Sequence, residues 1–194
     1  MPLNSENMQT DTHTAEMAAA VSEARHIAAN GIVKNHIIAS ITLGLVPVPL
    51  FDLAALTATQ MSLLRSLAAH YEVEFDDSDT KPLLTALVSG SLPVLGVLGL
   101  SSFVKVIPGV GSLVGSASVG VLAGAVTYAV GQVFVMHFEA GGTLEDFDPM
   151  QARAFFKREL EAGKGFVQTL REEVSAAKAA REEASKPADP EQHH

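Results

Sequence analysis

The chain contains no cysteine and no tryptophan. Without cysteine there is no disulfide, no thiolate metal ligand and no cysteine nucleophile, an absence that suits a reducing compartment. Aromatic residues make up only 6% of the chain. The Trp and Tyr belts that mark the water interfaces of many spanning helices are therefore thin, which counts against a conventional span. Basic residues are also scarce: 13 Lys and Arg face 22 Asp and Glu, for a net charge of −9. A nucleic-acid binder would show a basic patch, so nucleic acid is excluded as a partner. The first residues are polar and acidic instead of basic and then apolar, so no cleavable signal peptide is expected.

The most informative scarcity is local. Residues 82–138 carry one charge, Lys105, between the charge-free runs 82–104 and 106–138. At about 1.5 Å per helical residue the shorter run reaches roughly 34 Å, against a bilayer hydrocarbon core of about 30 Å. The turn Ile107-Pro108-Gly109-Val110-Gly111 separates the runs and predicts a helical hairpin over 82–138. A first apolar block is broken at Pro47 and Pro49, because proline lacks an N–H and clashes with the preceding turn. A helix is expected to end near Leu45 and another to open at Pro49, giving a hairpin over 36–71. Its first arm is too short to span alone, so it reads as re-entrant or interfacial.

Around these hairpins the chain is polar. Residues 1–14 read as disordered. An Ala-rich helix follows from about Thr14, with Gly31 as punctuation. Glu72–Lys81 reads as a solvated acidic linker that lacks the Gly and terminal Glu of a calcium loop. Gly141-Gly142 predicts the end of the second hairpin, and Asp148-Pro149 an N-cap with proline at the first helical position. A C-terminal amphipathic helix is expected over 149–185, hinged at Gly163 and Gly165, with a disordered tail over 186–194. Its apolar face is Phe155, Phe156, Leu160, Val167, Leu170 and Val174. The fold class is thus all-α: a helical membrane domain over 15–148 flanked by N- and C-terminal amphipathic helices.

Candidate functional residues fall into three groups. Ser112, Ser116, Gly120 and Gly124 recur every four residues, with Gly111 and Gly115 beside them. Such a stripe lets another backbone approach closely, within the chain or between copies of it. Pro47, Pro49, Pro108, Gly109 and Gly111 form the turns. Asp52, Gln60, Arg65 and Lys105 are the candidate polar intramembrane residues, since charges there are costly and usually functional. Asp52 also sits at a helix start, where an acidic group gains about 0.3–1 kcal/mol from the dipole; this capping role is the simpler reading. No phosphate loop, zinc spacing or nucleophile–base set is present. No catalytic activity, cofactor or metal is expected. The Lys and Arg residues other than Lys105 lie outside 82–138, which places both termini in the cytoplasm by the positive-inside rule.

The segments VPVPLFDLAALTATQMSLLRSLAAHYEVEF and IPGVGSLVGSASVGVLAGAVTYAVGQVFVMHFEAGGTLEDF resemble the YcjF-like family of bacterial membrane proteins (domain of unknown function 697) over about residues 30–160. The most specific parts are Pro47-Val-Pro-Leu-Phe-Asp52, with Gln60 eight residues later, and Pro108-Gly-Val-Gly111 followed by Thr127-Tyr-Ala-Val-Gly131. The resemblance implies an inner-membrane helical protein. It also implies association with a dynamin-like or Era-like GTPase, although this chain contains no GTPase domain. The expected function is a membrane-anchored interaction module whose partners are the lipid bilayer and such a GTPase. A homo-oligomeric pore or transporter-like protein is the alternative, and a soluble helical bundle the second.

Overall fold

A computed structural model describes residues 5–43, 51–90 and 111–184. Of residues 5–11, 43, 51–54, 111–119, 178, 182 and 183 it describes the backbone alone. The described residues form five helices and no strand: α1 Ser5–Leu43, α2 Phe51–Tyr71, α3 Asp77–Ser89, α4 Gly111–Glu139 and α5 Pro149–Ala184.

The 39-residue α1 corrects two expectations. Residues 5–14 are helical, because each residue added to a nucleated helix costs little and no proline interrupts 5–43. Gly31 does not punctuate the helix, so the first arm of the 36–71 hairpin is the last part of α1. The helix is described as far as Leu43, and the expected end near Leu45 lies outside the described residues. Pro47 and Pro49 lie outside the described residues, as do Lys105, Pro108 and Gly109.

The acidic linker is shorter than expected, because Asp76 caps α3. Its carboxylate accepts from Ser78 N at 2.7 Å and Asp79 N at 3.3 Å, satisfying amides that have no intrahelical partner. Pro82 lies inside this helix instead of opening a hairpin arm. Helix α2 ends with Val73 N donating to Ala68 O at 2.8 Å and Glu72 at φ 60°. Helix α4 ends the same way: Gly142 N donates to His137 O at 3.0 Å, and Gly141 takes φ 83°. The left-handed residue is thus a glycine in one cap and a strained glutamate in the other. Asp148 caps α5 as expected, accepting from Met150 N at 2.8 Å. Helix α5 then runs without interruption through Gly163 and Gly165.

Helix α4 is the centre of the bundle and touches α1, α2 and α5, while α3 lies mainly against α5. Both α1 and α5 run antiparallel to α4, as the pairs His26–Glu139, Ser40–Thr127 and Gly124–Val167 require. The core is continuous, with Val33, Ile37, Leu64, Leu67, Val130, Val133, Phe134, Phe156 and Leu160 at 0–2% exposure. Phe134 stacks on Phe147 with ring centroids 4.4 Å apart.

Two apolar hairpins are not established, because residues 91–110, which hold most of the first arm and the turn of the second hairpin, lie outside the described residues. Among the described residues one helix segment, Gly120–Glu139, is long and apolar enough to cross a bilayer, and 61% of it is buried within the protein. The cover on one side is α5, which presents Phe156, Leu160, Gly163, Val167 and Leu170 inward and exposes Lys157, Arg158 and Glu161. A helix that is apolar all round can be enclosed by protein as well as by lipid.

Candidate functional site

The polar groups inside this core are concentrated where α1, α2 and α4 meet. Ser40, Gln60 and Thr127 are each at most 3% exposed. Thr127 Oγ1 is 2.7 Å from Ser40 Oγ, accepts from Gln60 Nε2 at 2.9 Å and donates to Ala123 O at 2.9 Å. One hydroxyl has one proton and two lone pairs. With the Ser40 hydroxyl as donor, all three are used. The Gln60 amide oxygen is then left buried and unpartnered. Turning the amide over exchanges an orphan oxygen for an orphan NH2 group, because Thr127 has no further capacity. A buried orphan costs about 1–3 kcal/mol, so three helices are held in register around an unsatisfied group.

Two more polar rungs cross between α1 and α4. Gln132 Nε2 donates to Asn30 Oδ1 at 2.8 Å. At the end of the bundle, His26 Nδ1 lies 2.7 Å from Glu139 Oε1, and the Tyr71 hydroxyl donates to the same oxygen at 3.0 Å. Burial first, and then this bond to a carboxylate, pushes the Tyr71 hydroxyl well above the ordinary phenol range, so it stays an O–H donor. The Arg25 guanidinium covers the Tyr71 ring at 4.7 Å.

Between the rungs the helices approach closely. A Cβ on Gly131 would lie 2.7 Å from both Val33 methyls, and one on Gly124 2.8 Å from a Val167 methyl. Gly120 faces the Ile41 carbonyl. The Gly120 and Gly124 part of the small-residue stripe therefore packs on α1 and α5. The side chains of Ser112 and Ser116, and the surroundings of Gly111 and Gly115, lie outside the description.

Of the candidate polar set, Gln60 and Arg65 do not meet each other, and Lys105 and the side chain of Asp52 lie outside the described residues. Gln60 is taken up by Thr127, while Arg65 is exposed and forms a two-pronged pair with Asp77 at 2.7 Å. Asp52 lies in the first turn of α2, where the capping reading put it, and its side chain is not described. A path lined by Asp52 and Gln60 loses Gln60 to the core. Sequence reasoning missed Ser40, Asn30, Thr127 and Gly131 as contact residues. A usable signal existed: His26, Asn30, Val33, Ile37 and Ser40 repeat at four and three residues along one face of α1.

The nearest approach to catalytic geometry is Ser62 Oγ, 3.3 Å from His36 Nε2, with His36 Nδ1 held by Ile32 O at 2.9 Å. Both residues sit in helix interiors, where backbone N–H groups are spent on i→i−4 bonds. No amide pair is left to hold an oxyanion. Among the described residues, no three His, Asp or Glu side chains converge on a metal position.

A family described as a domain of unknown function (DUF697) matches residues 8–164. Magnetosome membrane protein 22 of Magnetospirillum gryphiswaldense is 34% identical over 157 residues, which cover 80% of each chain. No solved structure matches the chain.

Proposed function

The chain belongs to the DUF697 family, and from that premise we propose that it is a membrane-associated, non-enzymatic interaction module. The observation that carries this reading is the distribution of charge along the bundle axis. Arg25, His26, Glu139, the Asp76–Asp79 turn and Asp146 gather where α1 enters and α4 ends. Towards the other end, α1 has no Asp, Glu, Lys or Arg after Lys34, α4 has none before Glu139, and α2 has none between Asp52 and Arg65. Within α1, α2 and α4 apolar surface thus lies at one end and charge at the other. Among the described residues only α5, with Arg171, Glu172, Glu173 and Arg181, brings charge alongside the apolar end, a distribution that suits a bilayer interface. The relative's description as a magnetosome membrane protein supports the same reading.

In this arrangement the uncharged pole meets lipid, and the buried stretch of α4 acts as the spine of the module. The charged end of α1, α2 and α4, from which the N-terminal half of α1 leaves, faces the cytoplasm of a bacterial cell and the soluble partner. The charged C-terminal half of α5, which runs to the other end, stays on the cytoplasmic side of the bilayer surface. A dynamin-like or Era-like GTPase is the partner that the family resemblance implies. The test is fractionation of the full chain with membranes, washed first at high salt and then at alkaline pH. The protein is expected in the pellet after both washes. Release at high salt, or recovery as a soluble monodisperse species, would overturn the reading and leave a soluble bundle.

A further inference from the structure

Helix α1 has a second face that none of the described residues covers. Its buried residues Ala29, Val33, Ile37 and Ser40 lie on one side. On the opposite side, Met17, Val21, Ala24, Ala28, Gly31 and Asn35 recur at intervals of four and three, the spacing of a helix–helix seam. All six are exposed, Met17 at 57% and Val21 at 66%, and Gly31 has nothing within 4 Å of where a Cβ would stand. The seam carries no charge. Ile27, 62% exposed, sits at its edge near the middle. Residues 12–25 are exposed on every side, and an isolated helical stretch of that length is marginal in water.

We infer that this face pairs with the same face of a second copy of the chain, antiparallel and centred near residue 26. Two properties of the seam select that occupant and that direction. The first is size. The large side chains, Met17 and Val21, are at one end, and Gly31 and Asn35 are at the other. An antiparallel pair sets Val21 against Gly31 of the partner subunit and Met17 against Asn35 of the partner subunit. A parallel pair would stack valine on valine and leave glycine against glycine.

The second property is charge. Glu16, Glu23 and Lys34 lie along one flank of the seam, and among the described residues none of them has an ion pair. Antiparallel packing brings the same flank of the two copies together and sets Lys34 of each beside the acidic residues of the other, whereas parallel packing turns this flank away from its own copy and forms no such pair. The incoming arm then continues along a groove of about 540 Å³ between α1 and α2, whose lining holds no Asp, Glu, Lys or Arg and includes Asn35, His36, Ala39, Ala55, Ala58 and Ser62. Small side chains on both walls let a helix approach closely. The inference does not rest on the membrane reading, because the seam is centred on the charged half of the chain.

The absence of cysteine makes the test direct. Met17→Cys and Asn35→Cys full-length chains are oxidised separately and as a mixture, in detergent at physiological salt. Both positions are exposed, and circular dichroism confirms the fold. In the antiparallel pair two copies of residue 17 stand about 27 Å apart along the axis, far beyond the reach of a disulfide. The expected result is a band at twice the 20.4 kDa chain mass in the mixture alone. Lys34→Glu is expected to reduce its yield roughly three- to tenfold, with recovery on adding Glu16→Lys and Glu23→Lys. Cross-linking of each variant with itself as efficiently as in the mixture would overturn the antiparallel seam. Monomer under all three conditions would overturn the second copy as occupant.

Discussion

Helices α4 and α5 pack against each other along most of their length and meet opposite demands. Helix α4 is apolar nearly all round and touches three helices, and most of its described positions, Gly120–Glu139, are buried. Helix α5 buries one stripe, Phe156, Leu160, Gly163, Val167 and Leu170, and spends the rest of its surface on charge. The buried helix is constrained by shape and hydrogen bonding, whereas the flanking helix is constrained by periodicity. Similar composition at two positions therefore does not mean similar sensitivity.

The strongest way to break this contrast is to truncate matched aromatics. Phe134→Ala on α4 removes a ring with no exposure and is expected to cost about 3–5 kcal/mol. Phe166→Ala on α5 removes a ring that is 41% exposed and lies 5.4 Å from Tyr128; about 1 kcal/mol is expected. Denaturant unfolding measures both, and equal losses would end the comparison. Next in size is a matched pair of hydroxyls. Thr127→Val leaves Ser40 and Gln60 without their shared partner and is expected to cost about 1–3 kcal/mol. Thr169→Val on α5 removes an exposed hydroxyl bonded to its own helix at 3.3 Å, and a change within about 0.5 kcal/mol is expected.

Two glycines should move stability in opposite directions. Gly131→Ala drives a Cβ into Val33, whose branched side chain cannot swing aside. Overpacking costs about 1–3 kcal/mol and outweighs the roughly 1 kcal/mol gained in helix propensity. Gly165→Ala meets nothing within 4 Å and should raise the melting temperature, through a gain of about 0.4–1 kcal/mol.

The smallest effect is acid lability of the helix ends. Helix α4 closes on backbone bonds at Gly141 and Gly142, which do not titrate. Helix α5 opens on Asp148, held below the usual carboxylate range by the Met150 amide and then by Gln151. Asp76 and Asp146 are lowered in the same way, by Ser78 and by Thr143. A depressed folded-state pKa contributes stability above the unfolded value, near 3.8, that is lost as pH falls through the folded one. Amide resonances of Met150 and Gln151 should therefore shift below about pH 4, while those of Gly141 and Gly142 hold still.

The sequence disclosed helix ends better than it disclosed neighbours. Asp148-Pro149 and Gly141-Gly142 act locally, so their chemistry is legible in adjacent residues. The apolar stripe of α5 is also visible, because a 3.6-residue period survives only where one face is wet. Helix α4 has no such period, and nothing in residues 111–139 distinguishes a lipid neighbour from a protein one. Gln60 stood out as polar in an apolar run. Its partner Thr127 is 67 residues away, and Ser40 is 87 residues from Thr127, so spacing could not join them. The cap at Asp76 was readable in Asp76-Asp77-Ser78-Asp79, but the density of charge there looked like solvated linker.

The uninterrupted course of α1 has a mechanical consequence. From Ser5 to Leu43 it is a single rod about 58 Å long, with its C-terminal half, from His26 to Ile41, clamped against the bundle. A rod without a joint cannot bend to absorb a push. It can only rock or turn about its clamp. Any load taken up at Met17 and Val21 is therefore delivered as torque to Ile37, Ser40 and Ile41, at the far end of the lever.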